Sequence, residues 1–451
     1  MSDAQGTPSP VGIAASESSH WGIVGGGMLG MTLALRLAEQ GKRVTLIEAA
    51  PQVGGLASAW QLGDVTWDRH YHVTLLSDAA LRKLLDELGL DEEIEWTETR
   101  TGVFAGGKLH SVSNTLELLR FPVLDTIDIA RLGATILSAA RRTDWQRLEQ
   151  IPVADWLIRW SGKRTFERFW LPLLRSKLGE AYTETSAAFI WSTIQRLYAA
   201  RRSGMKREMF GSVRGGYARV LETFSRRLHE KGVTIQLNAR ASVVAPASNG
   251  VEVSLHDGPR LHFDHVVVTA AAPAAARACR GLTEDEQARL VGVHYLGIVC
   301  ASVLLKRPLD GYYVTNLLDA GLPFTGVIEM SAMAHPRQFN GCGLVYLPRY
   351  LASDDPFFEL PDDEVRTLYL QGLQRVYPSI RDADVLAFRI SRVRHVMPLP
   401  TIGYSKRLPP EDTSVPGLHL VNSAHIVNGT LNVNETVQLA ERAALRFASL
   451  P

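Results

Sequence analysis

His20-Trp21-Gly22-Ile23-Val24-Gly25-Gly26-Gly27-Met28-Leu29-Gly30 is the stretch that decides the fold of this 451-residue chain. A short apolar strand runs into a glycine turn. A helical pattern follows, with Leu33, Leu37 and Ala38 on one face, and ends at Gly41. Arg43-Val44-Thr45-Leu46-Ile47 then reads as a second strand closed by Glu48. Each glycine has its own task. Gly25 permits the tight turn, Gly27 lets the backbone approach a pyrophosphate without a Cβ, and Gly30 lets helix and strand pack closely. The amides of Met28 and Leu29 stand at the positive end of the helix, where phosphate is favoured. Glu48 is placed to accept from ribose hydroxyls. A lone GxGxxG is weak evidence, but here strand, turn, helix, second strand and acid all agree on a dinucleotide-binding Rossmann unit.

The terminal acid suits NAD or FAD equally. The next segment, Pro51-Gln52-Val53-Gly54-Gly55-Leu56-Ala57-Ser58, discriminates by placing a glycine pair just after Glu48. This resembles the flavin signature of the amine oxidase, protoporphyrinogen oxidase and carotenoid desaturase superfamily. The resemblance implies an α/β fold: a Rossmann-like FAD-binding domain of the GR2 flavoprotein type, interleaved with an α+β substrate-binding domain. It implies FAD contacts from Gly54, Gly55 and Leu56, although relatives often carry Arg where this chain has Leu56. Asp68-Arg69-His70-Tyr71-His72 occupies the stretch that approaches the isoalloxazine ring in that superfamily. His70 is therefore expected near the flavin, and His72 is the candidate for proton handling, since imidazole titrates near neutral pH.

The likeness extends over roughly residues 20–450. Ala241-Ser242-Val243-Val244 resembles the edge that meets adenine, so Val243 is a candidate contact. Asp264 to Ala270 resembles the strand beneath the dinucleotide, which makes Thr269 and Ala270 candidates. The closing motif matches Gly417 to Thr436, with Asn422-Ser423 where relatives have a glycine and an acid. Val433 and Asn434 then open a helix facing the flavin pyrimidine, with Asn432 and Asn434 as further donors. The implied segments are a disordered tail at 1–19, an FAD-binding domain from 20–80, 212–285 and 395–451, and a substrate domain from 81–211 and 286–394.

The substrate domain reads as helical and aromatic-rich over 150–210, then as antiparallel sheet over 295–350 with turns at Leu309-Asp310-Gly311 and Phe339-Asn340-Gly341. Lys306, Tyr312, Tyr313, Glu329, Tyr346 and Tyr350 are its polar candidates, with Lys306 second to His72 for catalysis. Arg196, Arg201, Arg202, Lys206 and Arg207 form a basic cluster, either a solvated face or a guide for an anionic substrate.

Formal net charge is +1, which gives no reason to expect nucleic acid. Cys279, Cys300 and Cys342 form no CxxC pair, so neither a disulfide framework nor a metal site is indicated, and a reducing cytoplasm is expected. No apolar run is long enough to span a bilayer. Val123 to Ala140, punctuated by Asp125, Asp128 and Arg131, reads as an amphipathic helix, either half-buried or resting peripherally on lipid or a partner. No second GxGxxG occurs, so a small-molecule substrate itself is expected to reduce FAD. The expected activity is oxidation or desaturation of a hydrophobic or amine-bearing molecule, with hydride passing to flavin N5. Two alternatives stand: non-redox chemistry like that of UDP-galactopyranose mutase, or a flavin-binding scaffold.

Overall fold

A computed structural model describes residues 18–200, 209–427 and 431–450. The expected tail lies mostly outside these, but Ser19 already belongs to the fold, its carbonyl accepting from the Arg43 amide at 3.1 Å. Arg201, Arg202, Lys206 and Arg207 also fall outside the described residues.

The glycine-rich segment forms β1, His20–Val24, and α1, Met28–Glu39, followed by β2, Arg43–Ile47. Three later strands complete a parallel sheet: β3, Thr234–Gln236, β4, His265–Val268, and β5, Leu418–Leu420, in the order β3-β2-β1-β4-β5. Both faces of β1 are covered, which is why it reads as a run of apolar residues rather than an alternation. α1 is also buried nearly all round, with Met31, Ala34 and Leu35 inside as well as Leu33 and Leu37. It lies between the sheet and the C-terminal helix Val433–Phe447, in one shared core.

A second, mixed sheet has seven strands, in the order 385–398, 295–305, 343–352, 326–329, 314–317, 101–105, 108–111. Its pairings are antiparallel save one, Val314–Leu317 beside Thr101–Ala105. The strand Val385–Pro398 runs four residues past 394, the boundary placed between the two domains from sequence. Helices from 126 to 200 pack over this sheet in an aromatic-rich core of their own. Four further helices are α2, Ala79–Glu87; α3, Thr126–Ala140; α4, Leu171–Leu178; and α5, Ala187–Ala200. The helix Val433–Phe447 is α6. A π-helical turn, Phe166–Trp170, precedes α4 and turns Trp170 inward, where its Nε1 donates to Ser161 Oγ at 2.9 Å.

Candidate active site

Two turns meet where the sheet strands end. The Gly54 amide donates to the Gly26 carbonyl at 2.7 Å, so the glycine pair is laced to the first glycine turn. Building a Cβ on each glycine separates their roles. At Gly30 it would lie 1.9 Å from the Gly25 carbonyl oxygen, so packing within the chain requires that glycine. At Gly27 the nearest heavy atom would be Gly55 Cα at 4.0 Å, and φ is −74°, so nothing in the chain forbids a side chain. What Gly27 keeps open is the space above the turn, at the N-terminus of a helix whose first amides receive no side-chain cap. Glu48 braces the turn from below, accepting from the Gly26 and Ala50 amides, both at 2.7 Å.

That space opens into a cavity of about 710 Å³. Of the residues singled out from sequence, Gly25, Gly27, Met28, Leu29, Gly54, Gly55, Leu56, His70, His72, Thr269, Ser423, Asn432 and Val433 line it. Glu48 lines an adjoining groove that shares Gly55, Leu56 and His395 with the cavity. Arg69 lies along the same groove, its Nε donating to Ser391 Oγ at 3.1 Å. Its guanidinium is held below the usual range by burial and then by Arg389.

His70 is the clearest sign of a ligand. Its Nδ1 is 3.1 Å from the Leu56 carbonyl, which fixes Nδ1 as the donor and leaves Nε2 as an acceptor. That Nε2 is buried and has no partner among the described residues. Burial drives the ring down to about 3, so it is neutral at physiological pH. A buried acceptor without a partner costs free energy, and the ring that carries it lines the cavity. His72 lies against Tyr217, ring centroids 4.9 Å apart, with its Nδ1 3.7 Å from Asp68. That separation is an ion-pair distance, longer than a hydrogen bond.

Several sequence expectations are relocated. Lys306 is exposed beyond the end of its strand, its amide donating to the Asp384 carbonyl, and does not reach the cavity. The strand carries it past the cavity before it emerges. Asn434 caps another helix: its Oδ1 accepts from the Ala80 and Leu81 amides at 3.0 and 3.1 Å. Asn432 is the N-cap of α6, accepting from the Glu435 amide. Asn422 is buried and caps the turn Ser423–His425 through the Ala424 amide. Ala270 and Val243 line neither cavity nor groove; Val243 stands in a separate three-stranded sheet opposite Ser254. Thr269 Oγ1 donates back to the Val24 and Gly25 carbonyls, pinning the turn.

Of the sheet candidates, Tyr313 and Tyr350 reach the cavity. Tyr346 instead donates to the Asp68 carbonyl. Glu329 accepts from the Leu309 and Gly311 amides, and burial raises its carboxyl pKa. Tyr312 pairs with Arg100.

Sequence reasoning passed over Lys177. Trp170, Leu173, Leu174 and Lys177 fall at i, i+3, i+4 and i+7, a single helical face, and all four line the cavity. α5 lines it too, with Phe189, Ile190, Thr193 and Arg196 at i, i+1, i+4 and i+7. The signal available in sequence was a lysine on an otherwise apolar stripe.

Residues 29–446 match the family described as flavin containing amine oxidoreductase. The chain belongs to that family. It is accordingly an FAD-dependent oxidoreductase with a Rossmann-like fold. The probable zeta-carotene desaturase of Synechococcus elongatus is 22% identical over 461 residues, covering 89% of this chain and 92% of that protein. The putative protoporphyrinogen oxidase structure from Exiguobacterium sp. 255-15 superposes with TM-score 0.75 at 16% identity, covering 96% and 99% of the two chains. Reduced UDP-galactopyranose mutase superposes with TM-score 0.73 at 15% identity, covering 96% and 94%. The residues present fit FAD on this chain's own evidence: an open Gly27, an uncapped helix start, Glu48 beside the groove, and an orphaned His70 nitrogen. Among the described residues no His, Cys, Asp and Glu grouping suits a metal ion.

Proposed function

We propose that the chain oxidises or desaturates a hydrophobic or amine-bearing small molecule. The observation that carries this is a single cavity whose wall includes the dinucleotide turn, an apolar helical face and a tyrosine-bearing sheet. Bound there, FAD supplies a two-electron acceptor for hydride from a substrate C–H bond. The chain's own contributions are orientation and the exclusion of water by Trp170, Leu174, Phe189 and Ile190. His72 is the group assigned to proton handling; His70, held neutral, orients a donor instead.

Anaerobic mixing with candidate substrates tests this. Bleaching of the flavin's visible band is expected, and turnover only after dithionite reduction would sink the reading in favour of mutase-type chemistry. The mutase reading needs cations for a diphosphate; of the basic cluster, the one described member, Arg196, is already committed to Asp78. His72→Ala should slow flavin reduction roughly 100-fold with FAD retained; an unchanged stopped-flow rate removes His72 from the chemistry.

Two placements complete the reading. The first is cytoplasmic, since Cys279 and Cys300 are buried free thiols. The second is peripheral contact with lipid through the outward face of α3. Among the described residues no helix is long and apolar enough to cross a membrane.

A further inference from the structure

Charge is distributed unevenly around the cavity. The described residues lining it include Lys177, Arg196 and three histidines, but no Asp or Glu. Arg196 is spent, since its Nε and Nη2 donate to the two carboxylate oxygens of Asp78 at 3.2 and 2.9 Å. Lys177 has no such partner among the described residues. α4 carries it on the same face as Leu173 and Leu174, and its Nζ sits 3.3 Å from the centroid of the Tyr350 ring. The ring face attracts a cation but does not neutralise it. With burial as the sole cause, the ammonium is pushed down to about 7.

The phenol beneath the lysine points the same way. Tyr350 and Tyr71 hydroxyls lie 2.9 Å apart and share one hydrogen bond. Two phenols joined by one bond leave one O–H free to donate. The wall therefore presents a lysine Nζ that is protonated in about half of the molecules near pH 7, and a spare O–H, with no carboxylate among the described lining residues to compensate them. A protonated amine entering this space meets like charge and finds no counter-ion. A pure hydrocarbon leaves both donors unpaired, at the cost that attends any buried polar group without a partner. An apolar molecule ending in a carboxylate satisfies both.

We infer that the substrate is an apolar carboxylate whose carboxyl group is held by Lys177 together with the Tyr71–Tyr350 hydroxyl pair. The inference rests on the flavoenzyme reading above and narrows its substrate class away from amines. Lys177 is thus a binding and specificity-determining residue.

The FAD-loaded protein, titrated calorimetrically with dodecanoate, 1-dodecanol and dodecylamine, tests it. Dodecanoate is expected to bind at least about tenfold more tightly than the alcohol, an increment within the range of a charge-assisted hydrogen bond, and the amine most weakly. Lys177→Met should erase the carboxylate's advantage while leaving alcohol affinity within about twofold, and Lys177→Arg should keep most of it. Equal binding of carboxylate and alcohol by the wild type, or an advantage that survives Lys177→Met, overturns the inference. Flavin absorbance of the same samples separates the two claims. Yellow protein without a carboxylate preference refutes this inference alone, whereas colourless protein refutes the reading it rests on, and the inference with it.

Discussion

Gly27 and Gly30 stand one helical turn apart and are needed for unrelated reasons, which makes them separable by substitution. Gly27→Val places its side chain in the open space above the turn, so the chain should fold with an unaltered far-UV circular dichroism spectrum yet purify without flavin. Yellow, stoichiometric Gly27→Val protein would contradict the phosphate assignment. Gly30→Ala drives a methyl into the Gly25 carbonyl and should cost about 3 kcal/mol or more, read by denaturant unfolding. Lys177 offers a second test at this scale. Its ordinary pKa is 10.5 and the folded value is about 7, so between these the unfolded chain binds more protons. Stability should therefore rise with pH across that window, by up to about 5 kcal/mol relative to Lys177→Met, with the full disadvantage present below pH 7. A flat difference in urea unfolding between about pH 7 and 10 would place the ammonium in solvent instead.

Helix ends show best where sequence and structure part. Asp78 precedes α2, but its carboxylate is occupied by the Leu75 amide and Arg196, so α2 has no cap of its own. Asn434, from the start of α6, supplies it. Asn434→Ala should cost about 1–2 kcal/mol in thermal or denaturant unfolding while flavin content stays stoichiometric; lost flavin with unchanged stability would return Asn434 to the cofactor. Such a cap spans the chain and leaves no local pattern, whereas the first strand, turn and helix are local and legible in full. α3 departs from its sequence pattern for a related reason. Asp125, Asp128 and Arg131 recur at helical spacing and suggest a solvent stripe, but Asp125 and Asp128 form a reciprocal cap at the helix start. Asp128 is buried against Arg164 and Thr165. Periodicity reports which residues share a face, and cap chemistry at a terminus imitates a polar face. Lys306 departs differently: strand alternation says which side a residue takes, not how far along the sheet the cavity extends.

At the scale of the whole molecule, the cavity and the exposed face of α3 are one helix apart. The inner side of α3 packs on α5, where Trp191 and Gln195 donate to the Arg142 carbonyl and Gln195 also to Ala139. The opposite side of α5 lines the cavity. The outer side of α3 exposes Ile127 and Leu137, at 59% and 39%, and the segment before it exposes Leu116 at 57% and Leu119 at 49%. Arg120, Arg131 and Arg141 are exposed in the same stretch of chain, as is Asp125. Exposed apolar side chains in a stretch that also exposes three arginines suit an anionic lipid surface better than a neutral one, because burial and counter-charge then act together. An apolar carboxylate dissolves in such a surface, so docking there would bring the substrate to the helices that wall its cavity. The protein should therefore co-sediment with vesicles of mixed phosphatidylcholine and phosphatidylserine, more weakly as salt rises. Burying a leucine or isoleucine contributes about 1.5–3 kcal/mol, so the double variant Leu119→Asp/Ile127→Asp should lower the bound fraction at least tenfold. Neither position touches the cavity, so its flavin spectrum should match the wild type. Equal sedimentation of variant and wild type, or binding indifferent to phosphatidylserine, would remove lipid from this account while leaving the cavity's chemistry as it stands.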